Sequence, residues 1–228
     1  MKRNTAKRTL EKLLSVCICL CMLGAMLPAQ VFAEEADTAQ TETVQDTAPK
    51  DTVYLSSADD LIQLAKNCRL DSWSQNRTVV LEADIDLSSV DFNGIPSFGG
   101  TWEGQNHAIT GLSLSQDGSV QGLFRYVQQG ALVRDMTVKG RIKPGGTRAS
   151  VGGIAGSNAG TIENCAFDGV VSGTSQIGGI AGVNTVKGSI NGCTVSGTVY
   201  GSHFVGGVVG QNDGVAANCT NAASVNTT

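Results

Sequence analysis

Gly152-Gly153-Ile154-Ala155-Gly156 returns as Gly178-Gly179-Ile180-Ala181-Gly182 and again as Gly206-Gly207-Val208-Val209-Gly210, at spacings of 26 and 28 residues. A period of that length marks a solenoid. Each copy runs on in the same way, through Gly160-Thr161-Ile162-Glu163-Asn164-Cys165, Gly188-Ser189-Ile190-Asn191-Gly192-Cys193 and Gly214-Val215-Ala216-Ala217-Asn218-Cys219. Beyond the cysteine, apolar residues alternate around one glycine: Phe167, Gly169 and Val171, then Val195, Gly197 and Val199. A weaker third copy has Asn221, Ala223 and Val225, and an earlier coil fits with Val133, Met136, Val138, Gly140 and Ile142. Alternation broken by glycine predicts short strands separated by bends. Coils of this kind can bury an apolar face only against the coils above and below, which predicts an all-β parallel β-helix.

Upstream, Leu81, Ala83, Ile85 and Leu87 alternate with Glu82, Asp84 and Asp86, which predicts one further strand. Before it, Ser56 or Ser57 with Asp59 or Asp60 forms a capping-box pattern, and Leu61, Leu64, Ala65 and Cys68 follow at helical spacing. A single amphipathic helix is expected there, covering the apolar end of the first coil. At the other end no cap pattern follows Asn226-Thr227-Thr228, so the chain is expected to be truncated within a longer protein.

The first 33 residues read as a secretory signal peptide: a basic stretch to Lys12, an apolar run from Leu13 to Leu27, and the small-residue exit Val31-Phe32-Ala33. Fifteen apolar residues fall short of the roughly 20 that a membrane-spanning helix needs, so membrane contact is expected through the signal alone. A lipoprotein signal at Leu14-Ser15-Val16-Cys17 is the alternative, although Val16 is bulky for one. Removal of 1–33 takes five of 16 basic and one of 20 acidic residues, leaving 11 minus 19, or −8. That acidic balance argues against nucleic acid as a partner. Residues 34–52 carry six acids against Lys50 and few apolar side chains, the composition of a disordered acidic linker. The expected organisation is thus a signal peptide at 1–33, a linker at 34–52, a helical cap at 53–76, and a β-helix at 77–228, clearest at 151–228.

Four cysteines remain after the signal: Cys68, Cys165, Cys193 and Cys219. An even count in an exported chain admits disulfides. Three of the four share one repeat position, however, so their Cα–Cβ vectors run parallel, whereas a disulfide needs its Cβ atoms turned toward each other. A ladder of buried free thiols is expected, with Met136 in the same column.

No residue set declares a reaction, and none implies a cofactor. The glycines lack the following helix and Lys-Ser/Thr pair that a phosphate loop requires. Glu82, Asp84 and Asp86 are a weak calcium candidate, since a hard cation wants six to eight oxygens; the competing reading is a solvated outer face. Arg125, Arg134, Lys139, Arg141, Lys143 and Arg148 share a span holding only Asp135 as an acid, a local +5. Within it Arg134, Lys139, Arg141 and Lys143 form the candidate ligand-binding strip, suited to acidic glycans, wall polymers or host surface proteins. The competing reading pairs Arg134 with Glu163 of the next coil. Asn158, Asn184 and Asn212 share a column that serves either a sugar or the turn itself. Trp73, Trp102, Tyr126, Tyr200 and Phe204 are either stacking platforms or packing.

Gly153-Ile154-Ala155-Gly156-Ser157-Asn158-Ala159-Gly160 resembles the core of bacterial surface proteins with GLUG-type repeats. Asp84-Ile85-Asp86-Leu87, Phe98-Gly99-Gly100-Thr101-Trp102-Glu103-Gly104-Gln105-Asn106-His107 and Gly122-Leu123-Phe124 are similar to the lead-in of the same proteins. The resemblance covers roughly residues 53–228. It implies a right-handed parallel β-helix in a secreted or wall-attached bacterial protein. Some relatives carry such repeats beside a zinc peptidase that cuts immunoglobulin A, and others resemble adhesins. This sequence has no His-Glu-x-x-His, and its two histidines, His107 and His203, are far apart. The implied function is a noncatalytic scaffold or adhesion module. The alternatives are a β-helical polysaccharide lyase or hydrolase, or the noncatalytic repeat region of a surface metallopeptidase.

Overall fold

The computed structural model describes residues 51–145 and 149–227. The signal peptide, nearly all of the acidic linker, and Arg148 lie outside them.

One coil shows how the sequence closes on itself. Thr161–Glu163 lies on the first sheet, Ala166–Ser172 on the second, Ser175–Gly178 on the third and Ala181–Asn184 on the fourth, before Ser189–Asn191 returns to the first. Every strand pairing described is parallel, coil upon coil. Among the described residues the first sheet has seven strands, from Thr52–Leu55 to Val215–Ala217, and the second also has seven, from Ile85–Asp86 onward. The third has four, from Val120–Gln121, and the fourth five, from Ile95–Phe98. This is the parallel β-helix that the repeat predicts.

Columns follow from the register. Val138, Phe167 and Val195 follow one another in register from coil to coil, as do Ile142, Val171 and Val199, and all six are buried. Gly140, Gly169 and Gly197 stack between them. At Gly197, where φ is +96°, a Cβ would run into the carbonyl oxygen of Gly169. Glycine there is required by close approach of two backbones as well as by conformation.

The corners reveal a second column. Asp135, Asn164, Gly192 and Asn218, each just after the first-sheet strand, all have positive φ, from 49° to 65°. Asp, Asn and Gly are the residues that tolerate the left-handed region, so three residue types at four positions meet one backbone demand. The next residue in each coil is Met136, Cys165, Cys193 or Cys219, turned inward.

Two expectations are corrected. The stretch 79–87 is two strands, Thr78–Leu81 on the first sheet and Ile85–Asp86 on the second, with a corner at 82–84. Leu81, Ile85 and Leu87 are buried as expected because the corner preserves their inward sense, while Ala83 is half-buried. The cap is also entered differently. Thr52–Leu55 already pairs with Thr78–Leu81 as the outermost strand of the first sheet, and the helix Ala58–Asn67 follows it, within the first turn. Ser57 is the N-cap and accepts from the Asp60 amide at 3.2 Å, while the Asp60 carboxylate accepts from the Ser56 amide at 3.1 Å. The Ser57 hydroxyl, which donates to Asp60 Oδ2 at 2.7 Å, and then the Ser56 amide hold the Asp60 carboxyl below its usual range. Leu61, Leu64 and Cys68 enter the core.

Candidate binding surfaces

The second sheet carries the longest strands and so the widest outer face. On Thr137–Ile142, Val138 and Ile142 point inward and Lys139 and Arg141 are exposed, with Lys143 exposed just beyond. Alternation on one strand therefore sets the three cations on one side. The register supplies their neighbours. Lys139 stands opposite Asp168, whose carboxylate accepts from Ser196 Oγ at 2.8 Å. Arg141 lies between Ser113 and Val170, with Thr198 one coil farther. Beyond Ile142 and Val171, Lys143 faces the coil that carries Ser172, which pairs with Tyr200. The acid opposite Lys139 has no counterpart beside Arg141 or Lys143.

None of these three cations has a carboxylate within 4.0 Å among the described residues, where the ion pairs join Arg77 to Asp51, His107 to Asp84, and Arg134 to Glu103 and Asp135. Tyr200 shares their field: the Ser172 hydroxyl beside it first, then the charges of Lys143 and Arg141, draw its phenol below the ordinary range. Ser172 Oγ is itself buried and meets no hydrogen-bond partner in good geometry.

Arg134 belongs elsewhere. It lies on the first sheet and forms a two-pronged pair with Glu103 of the preceding coil, Nε to Oε2 at 2.6 Å and Nη2 to Oε1 at 2.9 Å. Glu163 of the next coil is opposite it in register, but the fork points the other way. Glu103 is the main reason that the guanidinium holds its proton more firmly than usual. The candidate strip thus reduces to Lys139, Arg141 and Lys143.

The acidic candidates disperse in a similar way. Asp84 accepts from the Ala108 amide at 2.8 Å and lies 3.1 Å from His107 Nδ1; Asp86 accepts from the amide and hydroxyl of Ser88, each at 2.9 Å. These bonds, the backbone ones first, hold both carboxyls below their usual range. Glu82 is exposed at the corner, off the strands that flank it. Among the described residues no group of three or more His, Cys, Asp or Glu is arranged to hold a metal ion. Asp86 is opposite Thr110 on the same sheet as Lys139. One coil separates them, so roughly 10 Å at the usual interstrand spacing.

The asparagine column lies in the interior. Asn158 and Asn184 are 0% exposed. Asn158 Nδ2 donates to Asn184 Oδ1 at 2.8 Å, and Asn184 Nδ2 donates to Asn212 Oδ1 at 2.8 Å. The same amide groups serve the corner: Asn158 Oδ1 accepts from the Gly160 amide at 3.1 Å, and Asn184 Nδ2 donates to Gly188 O at 3.3 Å. Neither asparagine has positive φ among the residues that do, so the column works through its amides and not through a left-handed backbone. Among the described residues Cys68, Cys165, Cys193 and Cys219 are free. Each ladder thiol leans on the carbonyl two residues back, Cys165 on Glu163 at 3.2 Å, Cys193 on Asn191 at 3.5 Å and Cys219 on Ala217 at 3.2 Å. The aromatics make no shared platform: Trp102 is in the core, Tyr126 is exposed on the fourth sheet, Tyr200 is on the second and Phe204 on the third.

Comparison with known proteins places this coil. Residues 147–172 match the family model of the GLUG motif, so the resemblance carried by Gly153–Gly160 is shown there, and the coils on either side repeat it in register. The chain is 29% identical over 128 residues to halomucin of Haloquadratum walsbyi, an alignment covering 49% of this chain and 1% of halomucin. It is similar in structure to a candidate immunoglobulin A1 protease from Bacteroides ovatus, with a TM-score of 0.55 and 21% identity, over 80% of this chain and 68% of that one. At that identity the likeness concerns the fold.

Proposed function

We propose that the chain is a noncatalytic, extracellular β-helix scaffold or adhesion module whose second-sheet flank binds acidic glycans. The observation that carries this reading is Arg141 and Lys143, exposed on the outer face at the end of one interior strand with Ser113, Val170, Thr198, Ser172 and Tyr200 around them and no facing carboxylate among the described residues. A row of cations on a flat, regular sheet suits an extended anionic polymer, which a concave pocket would not. Tyr200 adds a ring on which a sugar face can rest. The basic-apolar-small pattern of residues 1–33 supports export, and the GLUG match supports a repeat-bearing surface protein.

The lyase or hydrolase reading needs a carboxylate and a proton acceptor converging on one bond. Asp84 and Asp86, engaged by local donors and a coil away from Lys139, give that reading little support. The similarity to the Bacteroides ovatus structure keeps a repeat region attached to a peptidase as the second reading.

Glycan-array binding by the purified chain tests the proposal. Uronic-acid or sulfated glycans should bind, the signal should fall with added salt, and R141E/K143E should weaken it at least roughly tenfold, about 1.4 kcal/mol. Binding that ignores salt and the double variant would remove the flank from the function.

A further inference from the structure

A different part of the molecule holds a concave site. Beyond the buried Leu61 and Leu64, the helix Ala58–Asn67 turns Ile62, Ala65 and Lys66 toward the loop 91–96, and Arg69 follows just past its end. Between helix and loop is a cleft of about 230 Å³, whose walls also include Phe92, Asp91 and Arg125. The loop is firmly placed. The Ile95 amide donates to Leu123 O at 2.7 Å, Arg125 Nη2 donates to Asn93 O at 3.2 Å, and a Cβ on Gly94, at φ +79°, would come 2.8 Å from Gly122 O. The cleft exists before any ligand arrives.

Its charge is unbalanced. Lys66, Arg69 and Arg125 contribute three positive charges against Asp91 alone. Among the described residues none of the three has a carboxylate within 4.0 Å, and Asp91 Oδ1 accepts from Gln116 Nε2 at 3.3 Å. Arg125 Nε is buried and has no hydrogen-bond partner. A partly buried guanidinium ordinarily recruits an anion, and cations over an apolar wall of Ile62, Ala65, Phe92 and Pro96 concentrate the field in the cleft.

We propose that this cleft is a second binding site, for a small organic carboxylate of monosaccharide size. The cations select an anion. The apolar wall favours a carbon skeleton over a fully hydrated inorganic ion, and the volume lies below the ~300 Å³ at which pockets for larger ligands begin. A uronic acid, whether free or at a chain end, meets all three conditions. The site is independent of the second-sheet flank.

The test is an NMR titration of the nitrogen-15-labelled purified chain with glucuronate, with glucose and with inorganic phosphate. Glucuronate should shift amides in 62–69 and 91–95 saturably, and glucose should not. The K66Q/R69Q variant changes only exposed side chains and should weaken glucuronate at least fivefold, while R141E/K143E leaves it unchanged. No shifts, equal shifts by glucose, or full affinity in K66Q/R69Q would overturn the site. Phosphate binding as tightly as glucuronate would overturn its assignment to an organic carboxylate.

Discussion

The coils before residue 145 and those after residue 149 solve one packing problem with different materials. The earlier coils fill their interior by volume: Phe98, Trp102 and Phe124 meet with ring centroids 5.2 to 6.0 Å apart, two of the three pairs edge-on. The later coils fill theirs by repetition, with columns of isoleucine, cysteine, valine, glycine and asparagine one above another. An aromatic cluster tolerates irregular loops because its contacts are broad and non-directional. A ladder of small residues demands strict register, since each member's partner is its own equivalent a coil away. That is why the repeat is plain in one half and blurred in the other.

The largest effect should come from the aromatic cluster. Trp102→Ala is expected to cost about 3–5 kcal/mol, read as a fall in the denaturation midpoint, whereas Trp102→Phe should cost much less, because it also removes an indole N–H that is buried without a partner. If both variants lose equally, the volume argument for the earlier coils fails.

An intermediate loss is expected in the asparagine ladder. Asn184→Ala removes the acceptor that Asn158 Nδ2 uses and the donor that serves Asn212 Oδ1, Gly188 O and Val215 O, a penalty of about 1–3 kcal/mol. Hydrogen exchange should quicken in the coils on both sides together. A change confined to one coil would mean that the ladder does not couple them.

The smallest perturbation is chemical. Burial first of all pushes the Cys193 thiol up to about 12, the Cys68 thiol up to about 11, and Cys165 likewise upward. Iodoacetamide at pH 8.5 should therefore label half-buried Cys219 well before Cys165 or Cys193. The linkage has one direction: folded and unfolded thiols are both protonated below about pH 8.5. Above it these three thiols release protons only in the unfolded chain, so their contribution to stability falls as pH rises toward the folded values. A Cys193→Val variant should lose less over that window, and an equal loss would show that the ladder is not the titrating element.

The flank was partly legible in the sequence. Alternation put Lys139, Arg141 and Lys143 on one side, and the register agrees. Arg134 could not be sorted from them by spacing, because its partner Glu103 is 31 residues away and adjacent only through coil stacking. The cleft at Lys66, Arg69, Asp91 and Arg125 gave no sequence signal, as its walls come from a helix, a loop and a strand. One missed signal was available: Asp135, Asn164, Gly192 and Asn218 occupy equivalent positions and are residue types that accept positive φ.

The coil period, the inward columns, the capped helix and the free-thiol ladder can all be read along the chain. All of these depend on local alternation or on a residue stacking upon its own repeat, and both are written along the chain. Which charges stand free follows from how the coils stack. A cation's partner is chosen by proximity across coils and by the corner at which the chain turns, and a break at 82–84 or a fork toward Glu103 redistributes charge without altering the period.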